Sequence, residues 1–338
     1  MVFENVSIAS IAHVDAPIRV SSSEIEEQLA PTMNRLNIRP GLLESLSGIK
    51  ARRLWEVGTQ PSQAATQAAK LALDNGDVSP GQVGFLINTS VCRDYLEPST
   101  ACLVHGNLKL PATCMNYDIG NACLGFMNGI DIAAQMLENG MIDYALVVDG
   151  ESSRFPLEQT IKRLLAPECS EQDFRSQFAT LTLGSGSVAM LLTRRNLRPK
   201  APRYIGGVTR AATQYNHICL GQPDKMLTDT KELLARGIEL ASQTFVQAHT
   251  VLGWAPNVLD EVVLHQVSKV HTEKLAECLR LDLNKAFCLY PEYGNIGPAS
   301  VPIVLSKAIE AGRVGPGARV GLLGIGSGLN CSMAEIRF

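Results

Sequence analysis

Three residues combine a reactive side chain with a position where one predicted element gives way to the next. Cys123 stands in the segment DIGNACLG at the predicted start of a buried helix. His265 follows the short apolar run VVL, and Asn295 lies between glycines in GNIGP. A thiol can act as a nucleophile, an imidazole can move a proton, and a carboxamide can donate a hydrogen bond to a developing negative charge. Residues of these types could together perform nucleophilic catalysis.

Cys123 is expected near the first turn of its helix. The partial positive charge at a helix N-terminus lowers the pKa of a thiol below its usual value of about 8.5. Since the thiolate is the reactive form, a modest shift would change the reactive fraction at neutral pH greatly. The alternative for Cys123 is a small buried residue that only fills the core.

His265 and Asn295 each have an ordinary structural alternative as well. The carboxyl end of a strand is where sites form in α/β sheets, which favours a functional His265, but a hydrogen-bonded structural histidine fits the same place. An asparagine between glycines is usually a turn residue or a helix cap. Asn295 precedes its helix much as Cys123 precedes the first one, so an internal repeat would bring the two helix starts and the strand end together.

Helices and strands alternate along the chain, and these elements must position the three residues. Apolar runs bounded by turn residues predict strands buried on both faces, and amphipathic or alanine-rich stretches predict helices. This alternation favours an α/β architecture with largely parallel strand pairing. Predicted helices cover 62–73, 122–137, 228–252 and part of 294–310, a loop follows at 254–256, and predicted strands cover 83–89, 145–148, 181–193, 261–264, 320–323 and 331–336.

The second half of the chain repeats the order of the first. LGSGSVAMLL at 183–192 and IGSGLNCSMAEI at 325–336 occupy matching places. We therefore predict two related halves, 1–195 and 200–338, in preference to two unrelated domains. The segment 151–180 has no counterpart in the second half and is predicted to form a charged excursion over the surface.

Composition excludes several classes of protein. The 338 residues carry 30 Lys and Arg against 33 Asp and Glu, a net charge of −3, so no overall field would recruit nucleic acid or an anionic membrane. No apolar run approaches the ~18 residues of a transmembrane helix, and the first residues, MVFEN, lack the basic character of a signal peptide. The nine cysteines show no CxxC spacing and the histidines no metal-ligand spacing. We expect a cytoplasmic protein without a bound metal, whose thiols are reduced and mostly buried.

The residues together resemble the thiolase superfamily, and within it the β-ketoacyl-ACP synthase III branch. They are most similar to the acyl-CoA condensing thiolases of long-chain olefin biosynthesis, the OleA family. The resemblance extends over essentially the whole chain and implies a thiolase fold, an α/β body of five layers in the order α-β-α-β-α. The segments that carry it are RDYLEPSTA (93–101), YDIGNACLGF (117–126), YALVVDGE (144–151), LHQVS (264–268), GNIGPASVPIVLSKA (294–308) and LLGIGSGLNCSMAE (322–335).

The resemblance also implies roles for individual residues. Cys123 would accept an acyl group from a first long-chain acyl-CoA. His265 would assist formation of the Cys123 thiolate, and with Asn295 it would hold the carbonyl oxygen of a second acyl-CoA. The backbone N–H groups of Cys123 and Ser327 would form a second oxyanion hole, in a turn whose glycines allow close approach. Glu97 would remove an α-proton in the partner's site of a homodimer. No cofactor is expected besides the CoA thioester substrates.

The expected reaction is a non-decarboxylative Claisen condensation to a 2-alkyl-3-oxoacyl product, which is released as the β-keto acid for downstream enzymes of the olefin pathway. A decarboxylating β-ketoacyl-ACP synthase III that uses malonyl-ACP is the alternative, and it needs no carboxylate base. Glu97 distinguishes the two reactions, since only the non-decarboxylative one needs a carboxylate base. The alternative interpretation of Glu97 is a solvated loop residue beside a proline. A non-catalytic partner subunit is a third alternative, which the presence of Cys123, His265 and Asn295 disfavours.

Overall fold

The computed structural model describes residues 1–255 and 257–338 and is built around a nine-stranded mixed sheet. Pro256, in the predicted loop at 254–256, lies outside the described residues. The strands are β1 (Val6–Asp15), β2 (Ile18–Ser21), β3 (Ala51–Leu54), β4 (Phe85–Asn88), β5 (Met115–Asp118), β6 (Tyr144–Glu151), β7 (Gly186–Arg194), β8 (Arg203–Ala211), β9 (Cys219–Gly221), β10 (Met226–Thr228), β11 (Glu261–Leu264), β12 (Arg319–Gly326) and β13 (Asn330–Arg337).

Helices cover both faces of this sheet. They are α1 (Ser22–Arg35), α2 (Leu42–Ser47), α3 (Pro61–Asn75), α4 (Thr100–Leu108), α5 (Gly125–Glu138), α6 (Arg154–Leu164), α7 (Glu171–Gln177), α8 (Thr230–Leu252), α9 (Lys269–Leu279), α10 (Tyr290–Tyr293) and α11 (Ser300–Glu310). None of the helices among the described residues has the length and apolar character needed to cross a membrane.

Strand direction differs from the sequence prediction. β4 pairs in parallel with β5 and β6, and β11 pairs in parallel with β12, but the other neighbouring pairs in the sheet are antiparallel. The expectation of largely parallel pairing is therefore wrong. Continuous apolar runs indicate that both faces of a strand are covered, and they do not fix its direction. The short turn at 327–329 between β12 and β13 permits only antiparallel pairing.

Two similar sets of strands make up the large sheet. Its strand order is β11-β12-β13-β8-β1-β7-β6-β4-β5. The sets β4-β6-β7-β1 and β11-β12-β13-β8 each have one parallel pair followed by two antiparallel pairs, and they meet where β1 pairs with β8. α5 and α11 pack in the core between the two sets, α3 and α4 pack on the outer face of the first set, and α8 and α9 on the outer face of the second. This arrangement confirms the predicted fold of five layers built from two similar halves.

The helix after Cys123 begins later than predicted. The sequence placed its start at 122, whereas α5 begins at Gly125. Ala122 has a left-handed backbone with a φ of 45°, which a residue inside a right-handed helix cannot adopt. Glycine is needed at 125 because a Cβ there would lie 2.7 Å from the carbonyl oxygen of Thr89. Cys123 consequently lies on a tight turn ahead of the helix.

The segment 151–180 does not start as an excursion. Glu151 is the last residue of the buried strand β6, and only the residues after it leave the sheet. α6 and α7 then pack with α1 around a small apolar core of their own, which includes Ile25, Leu157, Leu164 and Phe174.

The cysteines are less buried than predicted. All nine are free thiols, of which three are buried, three half-buried and three exposed. The expectation that most are buried is therefore wrong. Composition shows only that a cysteine is small and apolar, and tertiary packing decides which of them the core encloses.

Candidate active site

Cys123 is held by contacts that come from both halves of the molecule. Within its own half, the amide of Asn121 donates to the side-chain oxygen of Asn128 at 2.6 Å. From the other half, Asn330 at the start of β13 donates to the side-chain oxygen of Asn121 at 3.2 Å. Gly326 at the end of β12 lies so close that a Cβ on it would be 3.4 Å from the Cys123 nitrogen. The turn that carries the thiol is therefore fixed from two sides.

The electrostatic environment of Cys123 is opposite to the one predicted. Burial of the thiol, followed by the nearby Cys219 and Glu151, raises the pKa of Cys123 to about 12. The predicted lowering of this pKa by the helix terminus is therefore wrong: Cys123 lies on the turn ahead of α5, and loss of solvation and neighbouring acidic groups raise its pKa. The resting residue is a neutral thiol that needs a base in order to react.

His265 is the candidate for such a base that the sequence predicts. It follows β11 directly, and its backbone N–H donates to the carbonyl of Leu323 in β12 at 2.8 Å. Burial, with a further contribution from His271, lowers the pKa of His265 to about 4. Among the described residues neither of its ring nitrogens has a hydrogen-bond partner. The imidazole is therefore neutral, and one nitrogen is available to accept a proton.

Asn295 presents an amide donor from a turn that both halves hold in place. Its backbone N–H donates to the carbonyl of Thr182 at 2.9 Å, and its carbonyl accepts from the N–H of Gly184 at 2.8 Å. Its side-chain oxygen accepts from the N–H of Gly297 at 3.0 Å. Because the oxygen is engaged, the side-chain nitrogen is the group left to donate to a ligand.

Ser327 and the amide of Cys123 lie on facing turns. Ser327 follows Gly326 at the end of β12, and it is half-buried. The close approach of Gly326 to the Cys123 nitrogen brings the two turns together. The assignment of the backbone N–H groups of Cys123 and Ser327 as a pair of donors remains a prediction.

Glu97 lies apart from these residues within a single chain. It is exposed in the loop 91–98, as are its neighbours Tyr95 and Leu96, and the exposed fraction of Leu96 reaches 88%. In the part of the chain that the structure describes, Glu97 forms no hydrogen bond or ion pair. A large apolar side chain so fully exposed is typical of a surface that another molecule covers.

A buried carboxyl group near the site was missed in the sequence. Glu151 at the end of β6 is only 5% exposed, and burial raises its pKa to about 7. Asp149, two residues earlier, has a pKa raised well above its ordinary value by burial and then by Glu151. Two acids at alternate positions of an otherwise apolar strand, VVDGE, were the signal that could have revealed them. Among the residues described, there is no group of side chains suited to hold a metal ion.

Comparison with known protein families identifies two matching models. Residues 250–338 match the C-terminal model of 3-oxoacyl-[acyl-carrier-protein] synthase III, and residues 117–160 match the model of the same synthase. The two matched regions include Cys123, His265, Asn295 and Ser327.

Curated relatives cover the whole chain. An acyl-CoA:acyl-CoA alkyltransferase from Xanthomonas campestris is 55% identical over 99% of both chains, and one from Shewanella oneidensis is 36% identical over 100% of both. A β-ketoacyl-ACP synthase III from Clostridium tetani is 28% identical over 99% of both chains.

Solved structures of the Xanthomonas protein, OleA, have nearly the same fold. The cerulenin-bound form is 55% identical, with a TM-score of 0.99 over 100% of this chain and 98% of that one. A cysteine-to-serine variant with bound lauric acid and lauroyl-CoA is 54% identical, with a TM-score of 0.98 over 99% of this chain and 100% of that one. Other OleA structures carry replacements of a glutamate or of a histidine.

Proposed function

The chain belongs to the OleA family of acyl-CoA:acyl-CoA alkyltransferases, and from this premise we propose how its site joins two acyl chains. It is an acyltransferase that condenses two long-chain acyl-CoAs head to head without decarboxylation. The observation that carries this conclusion is the 55% identity to an acyl-CoA:acyl-CoA alkyltransferase over nearly the full length of both chains.

In the first half-reaction Cys123 becomes acylated. His265, neutral at physiological pH, takes the thiol proton as the sulfur attacks the thioester carbonyl of the first acyl-CoA. CoA leaves as its thiol, with the proton returned from His265, and the acyl group remains on Cys123 as a thioester. The backbone N–H groups of Cys123 and Ser327 stabilise the oxyanion that forms during the attack.

In the second half-reaction a carbon–carbon bond forms. Glu97 of the partner subunit removes an α-proton from the second acyl-CoA, whose carbonyl oxygen is held by His265 and Asn295. The resulting enolate attacks the acyl-Cys123 carbonyl, the Cys123 thiolate leaves and is reprotonated, and a 2-alkyl-3-oxoacyl-CoA results. Water then cleaves the CoA ester and yields the β-keto acid. No cofactor takes part besides the CoA thioesters themselves.

The dimer in this proposal is supported by surfaces that one chain leaves open. β5 is the last strand of the large sheet, so its outer edge has unpaired backbone groups. Met115 and Tyr117 on this strand are exposed, as are Tyr95 and Leu96 in the loop 91–98. A second copy of the chain that packed along this edge would cover all four and would bring Glu97 toward the neighbouring site.

A decarboxylating synthase that uses malonyl-ACP is the competing function, since the matching family models are those of 3-oxoacyl-ACP synthase III. The relatives favour the alkyltransferase, at 55% and 36% identity against 28% for the synthase.

We further propose that the enzyme acts in the cytoplasm and that downstream enzymes of olefin formation use its β-keto acid as their substrate.

The deciding experiment supplies lauroyl-CoA alone, with no malonyl donor, and measures CoA release and β-keto acid or its ketone. We expect both products. If condensation occurs only when malonyl-ACP is added, the proposed function is wrong.

Variants test the roles of individual residues. Mixing with acyl-CoA should increase the intact mass of the protein by one acyl group, and Cys123→Ala should abolish this increase. Glu97→Gln should retain that increase but lose condensation, and Glu277→Gln, on the exposed face of α9, is the matched control.

A further inference from the structure

Glu151 lies where the loop 91–98 leaves the sheet. It ends β6, and its side chain points back to the residues that follow the neighbouring strand β4. One carboxylate oxygen accepts the backbone N–H of Val91 at 2.5 Å. Its backbone carbonyl accepts the indole N–H of Trp55 at 2.9 Å, which fixes the strand end itself.

The stem of the loop 91–98 is joined to β6 by successive hydrogen bonds. The N–H of Thr89 donates to the carbonyl of Val148 at 2.9 Å, and the N–H of Gly150 donates to the hydroxyl of Ser90 at 2.8 Å. The bond from Val91 to Glu151 is the next in this series. It is the one that comes immediately before the exposed part of the loop, and it ends on a buried acidic side chain.

Besides the N–H of Val91, only the next residue, Cys92, bonds to the carboxyl group of Glu151 among the described residues, through its backbone and its thiol. Gly297 packs against it, so that a Cβ on that glycine would lie 3.6 Å from the carboxyl carbon. Asp149 and the thiols of Cys92 and Cys123 are the titratable groups near it, and none of them carries positive charge. Burying a carboxyl group without a positively charged partner costs free energy that an apolar residue at this position would not. The presence of Glu151 therefore indicates a specific role.

We propose that Glu151 is a positioning residue that fixes the stem of the loop 91–98 and thereby sets where Glu97 lies in the partner's site. This inference rests on the proposed function, in which Glu97 is the base. Past Val91 the loop is largely exposed until Ser99 caps α4, with Asp94 bound to Ser62 as an intermediate anchor. Without Glu151, the stem of this segment would lose its attachment to the carboxyl group and would keep only the bond from the Cys92 thiol to the Ser152 carbonyl, at 3.2 Å, ahead of Asp94.

The test compares two replacements of Glu151. Glu151→Leu has a similar size but no acceptor, whereas Glu151→Gln retains an oxygen that can accept from Val91. We expect Glu151→Leu to lower the rate of condensation by about 10- to 100-fold, because small misplacement of a catalytic group has effects of that size. Acylation of Cys123 should stay within about twofold, and Glu151→Gln should restore most of the condensation rate. Equal losses in both variants, or an equal loss of acylation, would overturn the proposal.

A second variant removes the same hydrogen bond from the loop side, in case Glu151→Leu does not fold. Val91→Pro lacks the donating N–H, and Val91→Ala keeps it as the control; Val91 is exposed, so neither change disturbs the core. Val91→Pro should reproduce the selective loss of condensation, and the double variant should be no worse than either single one. Additive effects would contradict a shared bond.

Mixed dimers locate the effect. A subunit with Cys123→Ala paired with one carrying Glu97→Gln retains a single complete site, in which the first subunit supplies Glu97. Adding Glu151→Leu to that first subunit should lower condensation by the same factor of about 10 to 100, and adding it to the other should leave condensation nearly intact. The reverse pattern would mean that Glu151 serves its own Cys123. If the mixed dimer itself is inactive while the wild type condenses lauroyl-CoA, the role of Glu97 across the interface fails, independently of Glu151.

Discussion

Replacing His265 by alanine should leave the resting Cys123 thiol as unreactive toward a small alkylating agent as it is in the wild type. The reason is that the thiol of Cys123 and the imidazole of His265 are both neutral at rest. The pKa of Cys123 is raised to about 12 and that of His265 is lowered to about 4, in each case mainly by burial. A histidine that is not part of a resting ion pair contributes nothing to thiolate formation before substrate arrives.

The magnitude follows from these two values. Proton transfer between groups eight pKa units apart costs roughly 11 kcal/mol. Even if the two ions were in contact, an attraction of about 4 kcal/mol would not offset this cost. At pH 7 about one Cys123 in 10⁵ is therefore a thiolate, against about 3% of an ordinary thiol. Alkylation of Cys123 by iodoacetamide should be slower than that of a free thiol by about three orders of magnitude.

The assay follows alkylation of each cysteine by peptide mass spectrometry between pH 6 and 10. The exposed Cys102, Cys278 and Cys288 provide internal references for ordinary thiols. The rate at Cys123 should rise about tenfold per pH unit across the whole range, and in His265→Ala it should follow the same line. Acylation by lauroyl-CoA should nevertheless fall by about 10²- to 10⁴-fold in that variant, since the base acts in the transition state. A plateau that begins below pH 7 and disappears in His265→Ala would show a resting ion pair and refute this reasoning.

Three further predictions follow from the geometry of the site and of the fold. Asn295→Ala, which removes the free amide donor, should slow condensation by about 10²- to 10³-fold in single-turnover measurements while the acyl-group increase in intact mass at Cys123 persists. Gly125→Ala should lower the free energy of unfolding in urea by about 1 to 3 kcal/mol, because its Cβ would lie 2.7 Å from the Thr89 carbonyl oxygen; an unchanged midpoint would contradict the close approach. Burial alone would raise the pKa of Glu335, but hydrogen bonds from Arg319, Arg337 and Trp254 hold it below its ordinary value. The stability that Glu335 contributes is thus present above its unfolded pKa of about 4.3 and is lost as the pH falls through the lower folded value, so Glu335→Gln should show a weaker acid dependence of unfolding than the wild type.

The sequence located elements more reliably than it located their ends and directions. The strand before His265 has the predicted bounds, 261–264, because a short apolar run between an acid and a histidine allows few alternatives. The start of α5 was misplaced by three residues, because the left-handed conformation of Ala122 is imposed by packing and not by local preference. Strand direction was misjudged for the same reason: burial on both faces is encoded locally, whereas pairing is a tertiary property.

The electrostatics of the site could not be read from the sequence. The expected effect of the helix terminus on Cys123 is local, but the raised pKa arises from burial and from Glu151, which is 28 residues away in the chain. Glu151 itself was assigned to a surface segment because charge normally indicates exposure. Only the pairing of β6 with β4 shows that this carboxyl group faces the stem of the loop 91–98.

The site is assembled so that neither half of the molecule could hold it alone. Cys123 belongs to the first half, yet its turn is pinned by Asn330 and packed against Gly326 of the second. Asn295 belongs to the second half, yet its backbone is bonded on both sides to residues of the first. Since these hydrogen bonds and contacts join the two halves, a shift of the halves relative to one another would displace both Cys123 and Asn295. Both halves are therefore needed to place Cys123 and Asn295, whereas Glu97 lies apart from them in the exposed loop 91–98.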